Sequence, residues 1–209
     1  MDAVLYIHGK GGSAGESSHY RPLFPGCAVL GLDHRGLTPW EAGAEIRAAV
    51  DGLSGGYDSI MLIANSIGAW FSLQAGLNGL IRQAFFISPI LDMEGLILEL
   101  LRQERVSEEE LRAQGVIHTA FGEELSWDYL CYVRSHPIDW QVPTHILCGG
   151  RDELAPPAAA RAFAAGHNAT LTVMPNGEHW FHTEEQLRFL DGWIREKTAA
   201  LWRNDFQDI

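Results

Sequence analysis

Short apolar runs alternate along the chain with amphipathic segments, the pattern that a mostly parallel sheet with covering helices requires. Five runs stand out: Ala3 to Ile7, Ala28 to Leu32, Ser59 to Ala64, Gln83 to Ser88 and Thr144 to Cys148. Thr170 to Met174 makes a sixth. The helices between them announce their starts. Thr38-Pro39-Trp40-Glu41 joins an N-cap, a first-turn proline and a capping-box glutamate, after which Ile46, Ala49, Val50 and Leu53 form one helical stripe that Gly55-Gly56 stops. Near the carboxyl end Thr183 and Gln186 repeat the capping box, and Leu187, Leu190, Ile194 and Leu201 keep to one face of a long closing helix.

Between Pro89 and Pro143 the alternation fails, without a clear strand pattern, while Ser107 to Glu110 caps another helix. Leu96, Leu100, Leu101, Leu111, Phe121, Trp127, Leu130 and Val133 are spaced there for helices lying on the domain. With no internal repeat and no low-complexity tract, the expected organisation is one domain over 1–209 with a helical, cap-like insertion at about 90–142.

Composition narrows the partners. A chain of 209 residues at 46% hydrophobic content can bury one sizeable core. Its net charge of −12, with no basic cluster to offset it, disfavours nucleic acid and anionic membrane. No apolar run reaches the ~18 residues of a membrane span. Asp2 and the short run broken at His8 lack the basic lead and length of a signal peptide. Cys27, Cys131 and Cys148 are odd in number, sit in apolar surroundings and lack CxxC spacing, which suggests a reducing compartment. A soluble cytoplasmic protein that takes a small molecule is the expectation.

The chemistry is concentrated in SIMLIANSIGAWFSL. The strand ending at Ala64 runs through Asn65-Ser66-Ile67-Gly68 straight into an apolar helix. Such a turn is too tight for large side chains two positions either side of its apex, and Ala64 and Gly68 are both small. It would project Ser66 Oγ and aim the first helical amides at whatever the serine attacks.

This segment resembles the nucleophile elbow of the α/β-hydrolase family, whose usual pattern is GxSxG; Ala64 for the first glycine is the departure. The resemblance extends along almost the whole chain. It puts the triad acid just past the strand ending at Cys148, where CGGRDELAPP supplies Asp152, and the base in the loop after Met174, where MPNGEHWF supplies His179. The order Ser66, Asp152, His179 is the nucleophile, acid, base order of that fold. His8-Gly9 falls where the family keeps its second oxyanion donor, so the implied oxyanion hole is the backbone N–H of Ile67 with that of Lys10 or Gly11. The implied architecture is a three-layer α/β/α sandwich with a mostly parallel sheet of about six strands, its first strand matching the family's third. The implied activity is serine hydrolysis of a small carboxylic ester through an acyl-enzyme, with no cofactor and no metal. His8, Phe121, Trp127 and Trp180 are candidates for the substrate pocket.

Other readings stay beside this one. On the same triad the chain could be a thioesterase or amidase, or a binding protein that keeps the fold without turnover. Ser66 could merely cap its helix. Gly9, Gly11 and Ala14 fit the GxGxxA dinucleotide fingerprint, with Asp33 near the place of the ribose-binding acid, but an NAD(P)-dependent reductase leaves the serine and its partners unexplained. Tyr129 and Tyr132 also lack the lysine four residues on that a short-chain reductase wants. Asp33 would serve as a triad acid only if its loop reached His179. Glu178, His179 and His182 in EHWFH do not make an HExxH metal motif.

Overall fold

The computed structural model describes residues 1–120 and 122–203, the side chains of 200–203 excepted. In chain order the strands are β1 (Ala3–Ile7), β2 (Ala28–Leu32), β3 (Ile60–Asn65), β4 (Gln83–Ile87), β5 (Val116–His118), β6 (Glu124–Ser126), β7 (Thr144–Gly149) and β8 (Ala169–Met174). The helices are α1 (Pro39–Leu53), α2 (Ile67–Leu73), α3 (Met93–Glu104), α4 (Glu108–Gln114), α5 (Trp127–Ser135), α6 (Pro157–Gly166) and α7 (Glu184–Arg203), with a 3-10 helix at Ala14–Leu23.

The six long apolar runs form one sheet in the order β2-β1-β3-β4-β7-β8, every neighbouring pair parallel. Both faces are covered, which is why the strands read as continuous apolar stretches. On one face Tyr20, Leu23 and Phe24 of the 3-10 region and Leu190, Trp193 and Ile194 of α7 pack with Val4, Tyr6, Met61, Ile63 and Phe85. Residues of the opposite parity, including Leu5, Ile7, Leu62 and Phe86, are buried as well, and α1 and α2 pack together and against β1. The result is the α/β/α layering that the sequence pattern implies.

β1 and β2 coincide with their apolar runs, and the other four strands of the sheet are offset from theirs by one residue at one end or both. The ladder carries β3 to Asn65, paired with Ile87, and β7 to Gly149, paired with Met174, because backbone pairing is blind to side-chain polarity. The Thr38 hydroxyl accepts the Glu41 N–H at 3.3 Å and that of Thr183 accepts the Gln186 N–H at 3.3 Å, so both expected caps form. Leu190 and Ile194 are buried and Leu187 half-buried, while the side chain of Leu201 lies outside the described residues.

By internal packing the chain forms two compact units, Met1–Leu91 with Trp140–Ile209, and Asp92–Asp139. The smaller one holds α3, α4 and α5 and a two-stranded antiparallel hairpin of β5 and β6. That hairpin adds two strands to a stretch that reads as helical; they have three residues each, with three of the six exposed, too few to show an alternation. The Ser107–Glu110 capping box opens α4, and Leu101, Leu111, Leu125 and Leu130 are buried.

Candidate active site

All of the chemistry described next belongs to the larger unit, at the carboxyl ends of its strands, the edge at which open parallel sheets bind their ligands. Between β3 and α2 the chain turns on Ser66, whose φ of 51° and ψ of −121° lie in a region that side-chain-bearing residues rarely occupy. Three backbone bonds hold it there: Ser66 N–H to the Ile87 carbonyl at 3.0 Å, and the Ser66 carbonyl accepting from Ala69 at 3.1 Å and Ile90 at 3.2 Å. The turn closes tightly because position 68 is glycine; a Cβ there would lie 2.5 Å from the His8 carbonyl oxygen. Ala64 is tolerated, its methyl buried within β3 where it pairs with Ile7 and Phe86.

His179 and Asp152 meet this serine. His179 Nε2 lies 2.8 Å from Ser66 Oγ, and His179 Nδ1 lies 2.8 Å from Asp152 Oδ2. The carboxylate can only accept, so Nδ1 carries a proton and, in the neutral ring, Nε2 is left to accept from the serine hydroxyl. Asp152 is oriented as well as buried: its Oδ1 accepts the N–H groups of Leu154 at 3.0 Å and Ala155 at 2.8 Å, and its side chain is fully enclosed. The two loops that bring these residues together are bonded to each other, Gly150 N–H to the Met174 carbonyl at 2.8 Å and Arg151 N–H to that of Gly177 at 2.9 Å.

The loop after β1 comes up against the same serine, since a Cβ on Gly9 would stand 3.2 Å from Ser66 Cβ. A tight turn follows, closed by Gly12 N–H to the Gly9 carbonyl at 3.1 Å, with Gly11 at φ +74° as the third position of a type II turn requires. Lys10 and Gly11 are the central residues of that turn. Ile67 is the first residue of α2, so its N–H has no acceptor within the helix. His8 lies behind the turn, its Nδ1 2.7 Å from the Gly9 carbonyl and its ring stacked on His34 at 4.1 Å.

The remaining candidates separate. Trp180 is 73% exposed beside His179. Trp127 belongs to the smaller unit, where the Arg112 guanidinium lies 5.9 Å from its ring centre. Phe121 lies outside the described residues. Asp33 is occupied elsewhere, accepting the Ala14 N–H at 2.6 Å. The dinucleotide fingerprint leads into a 3-10 segment rather than the α-helix that motif opens. His182 Nδ1 is 2.7 Å from the Trp180 carbonyl and 3.7 Å from Glu178, and among the described residues no group of three His, Cys, Asp or Glu side chains is arranged to hold a metal. Nor is any described helix long and apolar enough to cross a membrane. Burial pushes the Cys148 thiol up to about 12, with the Asp152 charge adding to it. Sequence reasoning missed a polar group beneath the serine, formed by Tyr6, Glu16 and Asn65. Only the Ser13-x-x-Glu16 spacing hinted that Glu16 was more than a surface acid.

No family model matches the chain, and no curated protein matches its sequence. Solved structures do match. Est1E from Butyrivibrio proteoclasticus superposes with a TM-score of 0.76 at 18% identity, over 95% of this chain and 87% of that one; the same protein with ferulic acid bound gives 0.75 at 19%, over 96% and 89%. Mouse alpha/beta hydrolase domain-containing protein 10 gives 0.69 at 15%, over 95% and 90%. A serine hydrolase of Xanthomonas campestris described as lacking a lid gives 0.63 at 18%, over 96% and 82%.

Proposed function

We propose that this chain, which has the α/β-hydrolase fold, is a serine hydrolase that cleaves a small carboxylic ester through an acyl-enzyme. One observation carries the reading: the unbroken series Ser66 Oγ, His179 Nε2, His179 Nδ1, Asp152 Oδ2, each contact 2.8 Å, on a serine held at positive φ.

The roles follow from the chemistry. A serine hydroxyl is a weak nucleophile, so His179 takes its proton as Oγ forms a bond to the ester carbonyl carbon. Asp152 keeps the imidazole in the tautomer that can accept and stabilises its cationic form. The carbonyl oxygen becomes an alkoxide, met by the N–H of Ile67 and by that of Lys10 or Gly11; loss of one such donor costs about 3 kcal/mol of barrier. Collapse expels the alcohol, which leaves with the proton from His179, and Ser66 is acylated. Water, deprotonated by the same imidazole, then attacks the acyl carbon, releasing the acid and restoring the serine hydroxyl.

The fold supports this reading. Ferulic acid bound to Est1E is a carboxylic acid, the class of product that hydrolysis of an acyl compound releases. Trp180, exposed beside the base, would wall the acyl or alcohol side. A cytoplasmic setting belongs to the same proposal and fits three unpaired cysteines.

A fluorophosphonate probe tests the reading. It is expected to label the native protein at Ser66 and to leave Ser66→Ala unlabelled, and the native protein is expected to turn over short p-nitrophenyl esters. Equal labelling of both proteins, or no ester hydrolysis at any chain length, overturns it.

A further inference from the structure

Beneath Ser66, a chain of polar side chains that the ester-cleavage steps do not use joins the loop after β1 to the strand that carries the serine. Tyr6 stands on β1, opposite Ile63 of β3, with its ring wholly buried. Its hydroxyl lies 2.8 Å from Asn65 Nδ2 and contacts Glu16 Oε2 on the other side. An amide nitrogen only donates and a carboxylate only accepts, so the bonds can run one way: Asn65 to Tyr6 to Glu16. Burial, with the neighbouring Tyr20 and the Glu16 carboxylate, pushes the Tyr6 hydroxyl well above the ordinary tyrosine range, and the hydroxyl keeps the proton it donates.

The second oxygen of the same carboxylate accepts the Ser13 N–H at 3.3 Å. Between Ser13 and Gly9 the loop rests on this group, because a Cβ on Gly12 would stand 2.8 Å from Glu16 Oε1 and 2.9 Å from His8 Cβ. Asn65 directly precedes Ser66, and its side-chain oxygen is buried without a partner among the described residues. A half-satisfied buried amide is costly, and here the half in use is the one that binds Tyr6.

We propose that Glu16 is a positioning residue: through Tyr6 and Asn65 it holds the loop of residues 9–13 at a set distance from Ser66, and with it the oxyanion donors of that loop. The inference rests on the ester-hydrolase reading. Its energetic logic is that preorganised donors stabilise an oxyanion only where they already stand, and small displacements of such groups are expensive.

The test compares the intact protein with Tyr6→Phe, Glu16→Gln and Glu16→Ala on a p-nitrophenyl ester, with a boronic acid as tetrahedral mimic. Tyr6→Phe and Glu16→Ala should lower kcat by about ten- to a hundredfold with KM changed less than about threefold, and should weaken the boronic acid by a similar factor. Glu16→Gln keeps one acceptor oxygen and should fall between them and the parent. Val50→Ala on α1, a buried site remote from the network, controls for lost stability: its Tm falls and its kcat does not. Hydrogen exchange adds a readout independent of turnover, with the loop amides exchanging faster in Tyr6→Phe. Variants with the parent's kcat and exchange, or a loss that Val50→Ala reproduces, overturn the positioning role while leaving the hydrolase reading intact. A parent protein that neither labels at Ser66 nor cleaves esters overturns both.

Discussion

Gly149, the last residue of β7, lies directly against Gly177: a Cβ added to Gly149 would stand 2.5 Å from the carbonyl oxygens of both Gly177 and Glu178. Two backbones therefore touch where side chains would normally separate them, which lets the loop bearing Asp152 and the loop bearing His179 form one body. Gly149→Ala is expected to force them apart. Overpacking of this kind costs about 1–3 kcal/mol of stability, and the displaced imidazole should lower kcat by about a hundredfold. Urea unfolding and ester kinetics on the same sample check both.

Asp152→Asn isolates the orientation of the base. Asparagine can still accept from Leu154 and Ala155 through its oxygen, but it then offers an N–H to His179 where the carboxylate accepted one. The imidazole is driven to the other tautomer, with Nε2 donating to Ser66 instead of accepting. A fall in kcat of about ten-thousandfold is expected, read by ester hydrolysis and by slower fluorophosphonate labelling. An unchanged rate would remove Asp152 from the mechanism.

Strain at the nucleophile predicts an ordering of two inactive variants. Both Ser66→Ala and Ser66→Gly lose the hydroxyl and its bond to His179, so that loss cancels between them. Only glycine is at ease at φ 51°. Ser66→Gly should be the more stable by about 1 kcal/mol, measured by thermal or chemical unfolding. Alanine as the more stable variant would mean the turn carries no strain.

The three cysteines are expected to react in an order set by burial. Cys131 is exposed, Cys27 half-buried and Cys148 buried. Iodoacetamide at mildly alkaline pH should modify Cys131 first and leave Cys148 untouched until the protein unfolds, as mass spectrometry of the peptides would show. Folding keeps the Cys148 thiol protonated up to about 12 against an ordinary 9.0. Its contribution to stability is therefore whole below the unfolded value and is lost as pH rises from there through the folded one. Replacing it with alanine should flatten that alkaline limb.

Much of this molecule was legible in the chain itself. Period-free apolar runs become parallel strands because both faces of such a sheet are covered, and runs of that kind need no knowledge of partners. Caps at Thr38, Ser107 and Thr183 are equally local, since a hydroxyl reaches an amide only three residues away. Small residues at 64 and 68 flag the turn at Ser66 for the same reason: the crowding is between near neighbours. The hairpin of β5 and β6 escaped because six residues are too few to show a pattern.

What only the tertiary structure decided is which distant groups share a bond. Ser66 and His179 are 113 positions apart and His179 and Asp152 are 27 apart, and their 2.8 Å contacts depend on strand order and on glycines packed backbone to backbone. Asp33, which could have served only if its loop reached His179, is turned instead to the Ala14 amide. Glu16 reads as a surface acid along the chain and stays exposed, yet in the folded chain its carboxylate accepts from the hydroxyl of the buried Tyr6. Hydrogen bonds form between groups that meet in space, and one-dimensional spacing carries that information only within a helical turn or a tight loop.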